Sequence, residues 1–210
     1  MAYDGYKERA AACDRHAPPA LLFEALCNAV GGEMVAGQTI GIAGAGSIGC
    51  FVGGMLAAGG GRVALLGRPR LIAEIEAGGL RLTSFEGFDQ TIPRDRFALS
   101  ENPAVFADAG IVLVTVKSAD TAGMADIIAR HAPPDVVVVS LQNGVGSAAV
   151  LRDRLPGRRV LGGMVPFNVI ALGDAVSSRH VRRHRYRAGR GATGGEAVGG
   201  RPDDTGDRQH

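Results

Sequence analysis

Residues Gly44-Ala45-Gly46-Ser47-Ile48-Gly49 spell G-x-G-x-x-G, a spacing suited to holding a diphosphate. Each glycine has its own reason. Gly44 permits a tight turn, Gly46 lets the backbone approach a pyrophosphate, and Gly49 lets a helix pack closely on a strand. A helix opening at Ser47 would offer the anion its free N–H groups and the positive end of its dipole. Alone the pattern is weak, because a chain with 32 glycines in 210 residues can produce it in an ordinary turn. Here it directly follows Ile40-Gly41-Ile42-Ala43, which reads as a strand, and opens a run of small and apolar residues that reads as a helix.

Three further positions bear on the same chemistry. A carboxylate about 20 residues past such a loop would bond the adenine ribose hydroxyls and favour NAD. This chain has Leu65-Leu66-Gly67-Arg68-Pro69-Arg70 there instead. Arg68 is suited to a 2′-phosphate, with Arg70 as a helper, since guanidinium matches phosphate in geometry as well as charge. NADP is therefore expected over NAD. Ligands of open α/β sheets sit at the carboxyl ends of the strands. Two polar signatures occupy such ends: Lys117-Ser118, and Gln142-Asn143-Gly144. A lone Asn-Gly is ordinarily a turn and a lone Lys ordinarily a solvated side chain. Both at corresponding strand ends are less easily dismissed, and Lys117 is one of only two lysines, with Lys7, in a chain that otherwise writes positive charge as arginine.

The elements that would position these residues are legible from Thr39 to about Leu172. Strands are expected at Thr39–Ala43, Arg62–Leu66, Ile111–Val116, Val136–Leu141 and Val160–Val165. Helices are expected at Ser47–Ala58, Pro69–Ala77, Asp120–Arg130 and Ser147–Leu155, with a short β excursion at Leu80–Ser84 and near Thr91. Strands apolar on both faces and alternating with helices predict an α/β, Rossmann-type doubly wound, mostly parallel sheet covered on both sides.

Composition narrows the class. The chain is 46% hydrophobic and 21% charged with a net charge of +2, as in a globular protein with no bulk case for nucleic acid or membrane. Cys13, Cys27 and Cys50 have no metal-like spacing and read as reduced thiols. No apolar run approaches the roughly 20 residues of a membrane helix, and no signal peptide opens the chain, so cytoplasm is expected.

The sequence resembles the ketopantoate reductases (2-dehydropantoate 2-reductases). The resemblance rests on Gly41 to Gly49, Thr115-Val116-Lys117-Ser118, Leu141-Gln142-Asn143-Gly144-Val145-Gly146 and Gly162-Gly163-Met164-Val165-Pro166-Phe167-Asn168, in the family's order. It implies that NADPH lies on Gly44, Ala45, Gly46, Ser47, Ile48, Gly49 and Arg68. It implies that Lys117 and Asn143 contact its nicotinamide end, with Asn143 also near the substrate, a small 2-keto acid. The implied reaction is reduction of 2-dehydropantoate to pantoate, towards pantothenate and coenzyme A. The family's proton donor is a lysine in a second, helical domain. No lysine follows Lys117, so no catalytic residue is assigned, and the 210-residue chain is expected to be weakly active or inactive. Alternatives are a non-catalytic dinucleotide-binding remnant and a dehydrogenase of a related 2-keto or 3-hydroxy acid.

The two ends read differently from the middle, residues 34–172. Residues 1–33 carry one helical pattern, Leu21, Leu22, Leu26 and Val30. They fit either a peripheral helix or upstream sequence read through from an early start. Residues 173–210 contain no Leu, Ile, Phe or Met and are expected to be disordered. With suitable codons, Arg179 to His184 read one base forward gives Ala-Thr-Ser-Gly-Gly, similar to the family's continuation, so a shifted frame is expected. The rival uses of this tail are a basic nucleic-acid arm, which lacks aromatic interleaving beyond Tyr186, and a metal pair at His180 and His184, which lacks a third ligand; neither is expected.

Overall fold

The computed structural model describes Leu26 and residues 37–180, except 85–86, 144–145, 164, 166 and 173–174. Six strands make one parallel sheet: β1 (Thr39–Ala43), β2 (Arg62–Leu66), β5 (Phe97–Ser100), β6 (Ala109–Val114), β7 (Val137–Ser140) and β8 (Val160–Gly162). Their spatial order is β5-β2-β1-β6-β7-β8, the order of the Rossmann sheet, with its reversal between β1 and β6. The helices are α1 (Ser47–Ala58), α2 (Pro69–Gly78), α3 (Thr121–His131) and α4 (Ser147–Arg154).

Alternate residues of the central strands feed two cores. Ile40, Ile42, Val63, Leu65, Ile111 and Leu113 join α1 on one face. Val112, Val114 and Val138 join α3, α4 and Phe106 on the other. This two-sided burial is why the strands are continuously apolar rather than alternating.

A second sheet covers the far side of α1. β3 (Leu80–Ser84) and β4 (Asp89–Ile92) pair antiparallel, β10 (Ala175–His180) lies parallel to β3, and β9 (Phe167–Leu172) closes the order β4-β3-β10-β9. Helix α1 is thus sandwiched between sheets, which explains why Gly49 to Ala57 are all buried. The adjacent glycines serve one sheet each. A Cβ on Gly53 would stand 3.1 Å from Ile42 Cγ1 of the main sheet, and one on Gly54 would stand 2.6 Å from Leu82 Cδ1 of the second.

Several expected boundaries move. β6 runs Ala109–Val114 rather than to Val116, because Thr115 turns to bond the glycine loop. β7 stops at Ser140 rather than Leu141, and β8 stops at Gly162 rather than Val165. β5, β9 and β10 were not expected. The disorder expected from residue 173 does not hold for residues 175–180. There only the Val176 side chain is known to be buried; order comes from strand pairing on both sides of β10. His180 ends a strand, so the helical spacing that would have paired it with His184 does not apply. Residues 1–25, 27–36 and 181–210 lie outside the described residues, and with them the readings of a leader, a frame-shifted tail and an arginine arm. Leu26 is helical and packs against the core around α1. Among the described residues no helix is long and apolar enough to cross a membrane, and no group of His, Cys, Asp and Glu could hold a metal ion.

The sandwich leaves α1 no room to expand. Gly54→Val is expected to cost about 2–3 kcal/mol by overpacking against Leu80 and Leu82, read as a lower urea midpoint with an unchanged slope.

Candidate functional site

The glycine loop joins β1 to α1 at the carboxyl edge of the main sheet. Gly44 has φ 110°, a conformation that strains any residue with a Cβ. Its position is also crowded, since a Cβ there would lie 2.6 Å from Val116 Cγ1 and 2.9 Å from Val116 N. At Gly49 a Cβ would run into the carbonyl oxygen of Gly44 and lie 2.8 Å from Thr115 Oγ1. Gly46 is the opposite case, for nothing lies within 4 Å of where its Cβ would be. Two glycines are therefore required by packing, and the third keeps a surface open.

That surface is the N-terminus of α1. No side chain caps it and no acidic residue sits in its first turn, so its leading N–H groups and positive partial charge are left to solvent or a ligand. Ser47 and Ile48 are the first helical residues beyond Gly46, and Ala45 is tied to β2 through its N–H to Leu66 O at 3.2 Å. A diphosphate fits this cradle in charge, in hydrogen-bond donors and in free space.

Thr115, given no role from sequence, holds the loop. Its hydroxyl lies 2.6 Å from Gly44 O and 3.3 Å from Ala43 O, and its N–H donates to Ala43 O at 3.0 Å. A hydroxyl directly after an apolar strand was the available signal.

Arg68 immediately precedes α2, exposed and with no ion pair among the described residues. Arg70 is committed elsewhere. Its Nε donates to Glu74 Oε1 at 2.8 Å, and Glu74 holds its guanidinium above the usual arginine range through that bond. The helper role considered for Arg70 is thereby weakened, while the position of Arg68 at the end of β2 stands.

Lys117 and Asn143 occupy neighbouring strand ends. β6 and β7 pair with Val114 opposite Ser140, and the two residues each stand three positions past that pair, both exposed. Gln142, the residue before Asn143, is buried, with its Nε2 2.9 Å from Val116 O and 2.7 Å from Thr121 Oγ1.

A cleft of about 600 Å³ opens beside the loop, walled by Gly46, Ser47, Leu71, Ile75, Leu80 and Val176. Arg68, Lys117 and Asn143 do not line it, so it is separate from the strand ends that carry them. Cys50 sits at its floor with its thiol 3.5 Å from Ala45 O; burial, with a smaller contribution from Glu74, pushes that thiol up to about 12.

The family model described as "Ketopantoate reductase PanE/ApbA" matches residues 40–192. The chain is 37% identical over 161 residues to the 2-dehydropantoate 2-reductase of Halobacterium salinarum, covering 76% of this chain and 48% of that protein. A crystal structure of a PanE/ApbA family ketopantoate reductase from Ralstonia eutropha superposes with a TM-score of 0.61 at 36% identity, over 67% of this chain and 46% of that one. The 2-dehydropantoate 2-reductase of Geobacter metallireducens gives 0.58 at 26% identity, over 68% and 46%. An octopine dehydrogenase solved with NADH shares the fold, at 19% identity and a TM-score of 0.55 over 67% of this chain and 39% of that one. The chain spans about half the length of the curated relative it matches.

Two measurements follow from this geometry. Thr115→Val leaves the Gly44 carbonyl without its hydroxyl donor and is expected to cost about 1–2 kcal/mol in denaturant titrations. The raised thiol of Cys50 stays protonated until pH approaches 12. Its peptide should therefore escape iodoacetamide at pH 8 in the native chain and be labelled in urea, as read by mass spectrometry.

Proposed function

The chain belongs to the ketopantoate reductase family, and from that premise we propose that its Rossmann domain binds NADPH for the reduction of 2-dehydropantoate to pantoate. The observation that carries this reading is the cradle at Gly44–Gly49. An uncapped helix N-terminus opens onto free space at Gly46, at the point where the strand order reverses.

The residues divide the work by position. The backbone of Gly44, Ala45, Gly46, Ser47, Ile48 and Gly49 holds the diphosphate. Arg68, exposed and without an ion pair among the described residues, takes the 2′-phosphate and distinguishes NADPH from NADH. Lys117 and Asn143 hold the nicotinamide end, and Asn143 also bonds the substrate. When bound, NADPH supplies hydride to the 2-keto carbon. The ketone oxygen then needs a proton donor as negative charge builds on it. By family resemblance that donor is a lysine beyond the Rossmann domain, and this sequence has lysine only at Lys7 and Lys117. A second reading concerns the Rossmann domain taken by itself, a dinucleotide binder with little or no turnover, since Lys117 is its sole lysine and is already given to the nicotinamide end.

Calorimetric titration tests both. The chain should bind NADPH more tightly than NADH. Arg68→Ala should weaken NADPH about 10- to 100-fold, the worth of a charge-assisted phosphate contact, and leave NADH within about twofold. Equal affinity for the two cofactors before and after the substitution would remove Arg68 from the site. NADPH consumption with 2-dehydropantoate should be slow or absent in the chain alone, and brisk turnover would sink the second reading.

A further inference from the structure

Beside the strand ends that carry Lys117 and Asn143 lies a buried polar cluster that the proposed binding roles leave unused. Gln142 is 9% exposed, Ser140 3% and Thr121 1%, beside a core built of apolar side chains. The amide of Gln142 is fully engaged. Its Nε2 donates to Val116 O at 2.9 Å and to Thr121 Oγ1 at 2.7 Å, and its Oε1 accepts from Ser140 Oγ at 3.2 Å. Thr121 passes the chain of bonds on, donating through Oγ1 to Ser118 O at 2.8 Å.

The partners matter because of where they stand. Val116 and Ser118 flank Lys117 on either side, and the carbonyl of each is held by this cluster. Gln142 itself is the residue before Asn143. One amide therefore fixes the backbone on both sides of Lys117 and the backbone leading into Asn143. No apolar side chain of similar size can do this, because Val116 O, Ser140 Oγ and Thr121 Oγ1 would each lose a partner in a buried place.

We propose that Gln142 is a positioning residue that sets the spacing between Lys117 and Asn143 and so fits the strand ends to the nicotinamide half of the dinucleotide. The proposal rests on the reading that Lys117 and Asn143 hold that half. It assigns Gln142 no contact with the cofactor. The adenine half, held at Arg68 and the glycine loop, does not depend on the Gln142 amide.

The test titrates the full 210-residue chain with two probes, NADPH and 2′,5′-ADP, which keeps the adenine end and lacks the nicotinamide. Gln142→Leu should weaken NADPH about tenfold, leave 2′,5′-ADP within about twofold, and reduce the change in nicotinamide fluorescence on binding. Thr121→Val removes the acceptor of one Gln142 Nε2 bond and the relay to Ser118, leaves the Gln142 bond to Val116 O, and nearly keeps the side-chain volume. It should shift NADPH alone by about threefold, and it carries the test if Gln142→Leu does not fold. Equal loss of both probes in the folded variants would make Gln142 a merely structural residue and overturn the proposal, as would no loss of either. If Lys117→Ala and Asn143→Ala weaken NADPH selectively but Gln142→Leu and Thr121→Val do not, the proposal falls and the reading of the site stands. If neither Lys117→Ala nor Asn143→Ala affects NADPH, the reading falls and the proposal with it.

Discussion

At Gly49 the first turn of α1 presses on the carbonyl oxygen of Gly44, where no Cβ could fit. The same oxygen accepts the 2.6 Å hydrogen bond from Thr115 at the end of β6. One backbone atom thus ties together β1, α1 and β6, the three elements that meet where the sheet reverses direction. The consequence is geometric. With Gly44 pulled towards β6 and α1 seated hard against it, the next residues must pass over the top of the sheet. The open side of Gly46 is then left facing outward, the one place along the loop where a ligand can approach backbone without displacing a side chain.

A helix placed so tightly must also be held along its length, and α1 has no polar face with which to meet water. It is buried from Gly49 to Ala57, because the main sheet takes one side and the β4-β3-β10-β9 sheet takes the other. Gly53 and Gly54 let both sheets come close. The second sheet therefore acts on the site without touching it, by clamping the helix whose N-terminus forms the cradle. On the opposite side of the main sheet Arg158 fills a related role for α3, donating to Ile128 O, Ala129 O and Ala132 O. Ile128 O also accepts the backbone N–H of Ala132, and Arg158 adds side-chain donors for the carbonyls at the end of the helix.

The parts legible in the sequence are those dictated by local pattern. The glycine spacing, the continuously apolar strands β1, β6 and β7, and the proline-opened α2 each carry their signal within a few residues. The parts that were not legible depend on partners far away in the chain. β10 pairs with β3, more than ninety residues earlier, and reads as Ala-Val-Ser-Ser-Arg-His with a single branched aliphatic; nothing local in it announces a strand. The ends of β6 and β8 were overrun because apolar residues continue past them, while Thr115 and Gly163 have already turned to bond Gly44 O and Ser140 O. Gln142 stood in a visible motif, but its burial follows from the Thr121 hydroxyl, 21 residues upstream, turning towards it. Arg70 read as a free cation until α2 put Glu74 one turn away from it.

The pairing of Arg70 with Glu74 sharpens how charge is arranged at the end of β2. Two arginines a residue apart would make a diffuse positive patch, attracting any phosphate with little discrimination. With Arg70 drawn onto Glu74 along the exposed side of α2, Arg68 is left at the strand end without an ion pair among the described residues. It stands just ahead of Pro69, whose ring fixes the backbone at the first turn of the helix. Glu74 also lines the cleft that reaches Gly46 and Ser47, but its charge is paired with Arg70, so the pair adds little net charge there while the uncapped N-terminus of α1 stays positive at the loop. The positive end of α1 and the guanidinium of Arg68 thus both stand at the carboxyl ends of the strands, which is where open α/β sheets take their ligands.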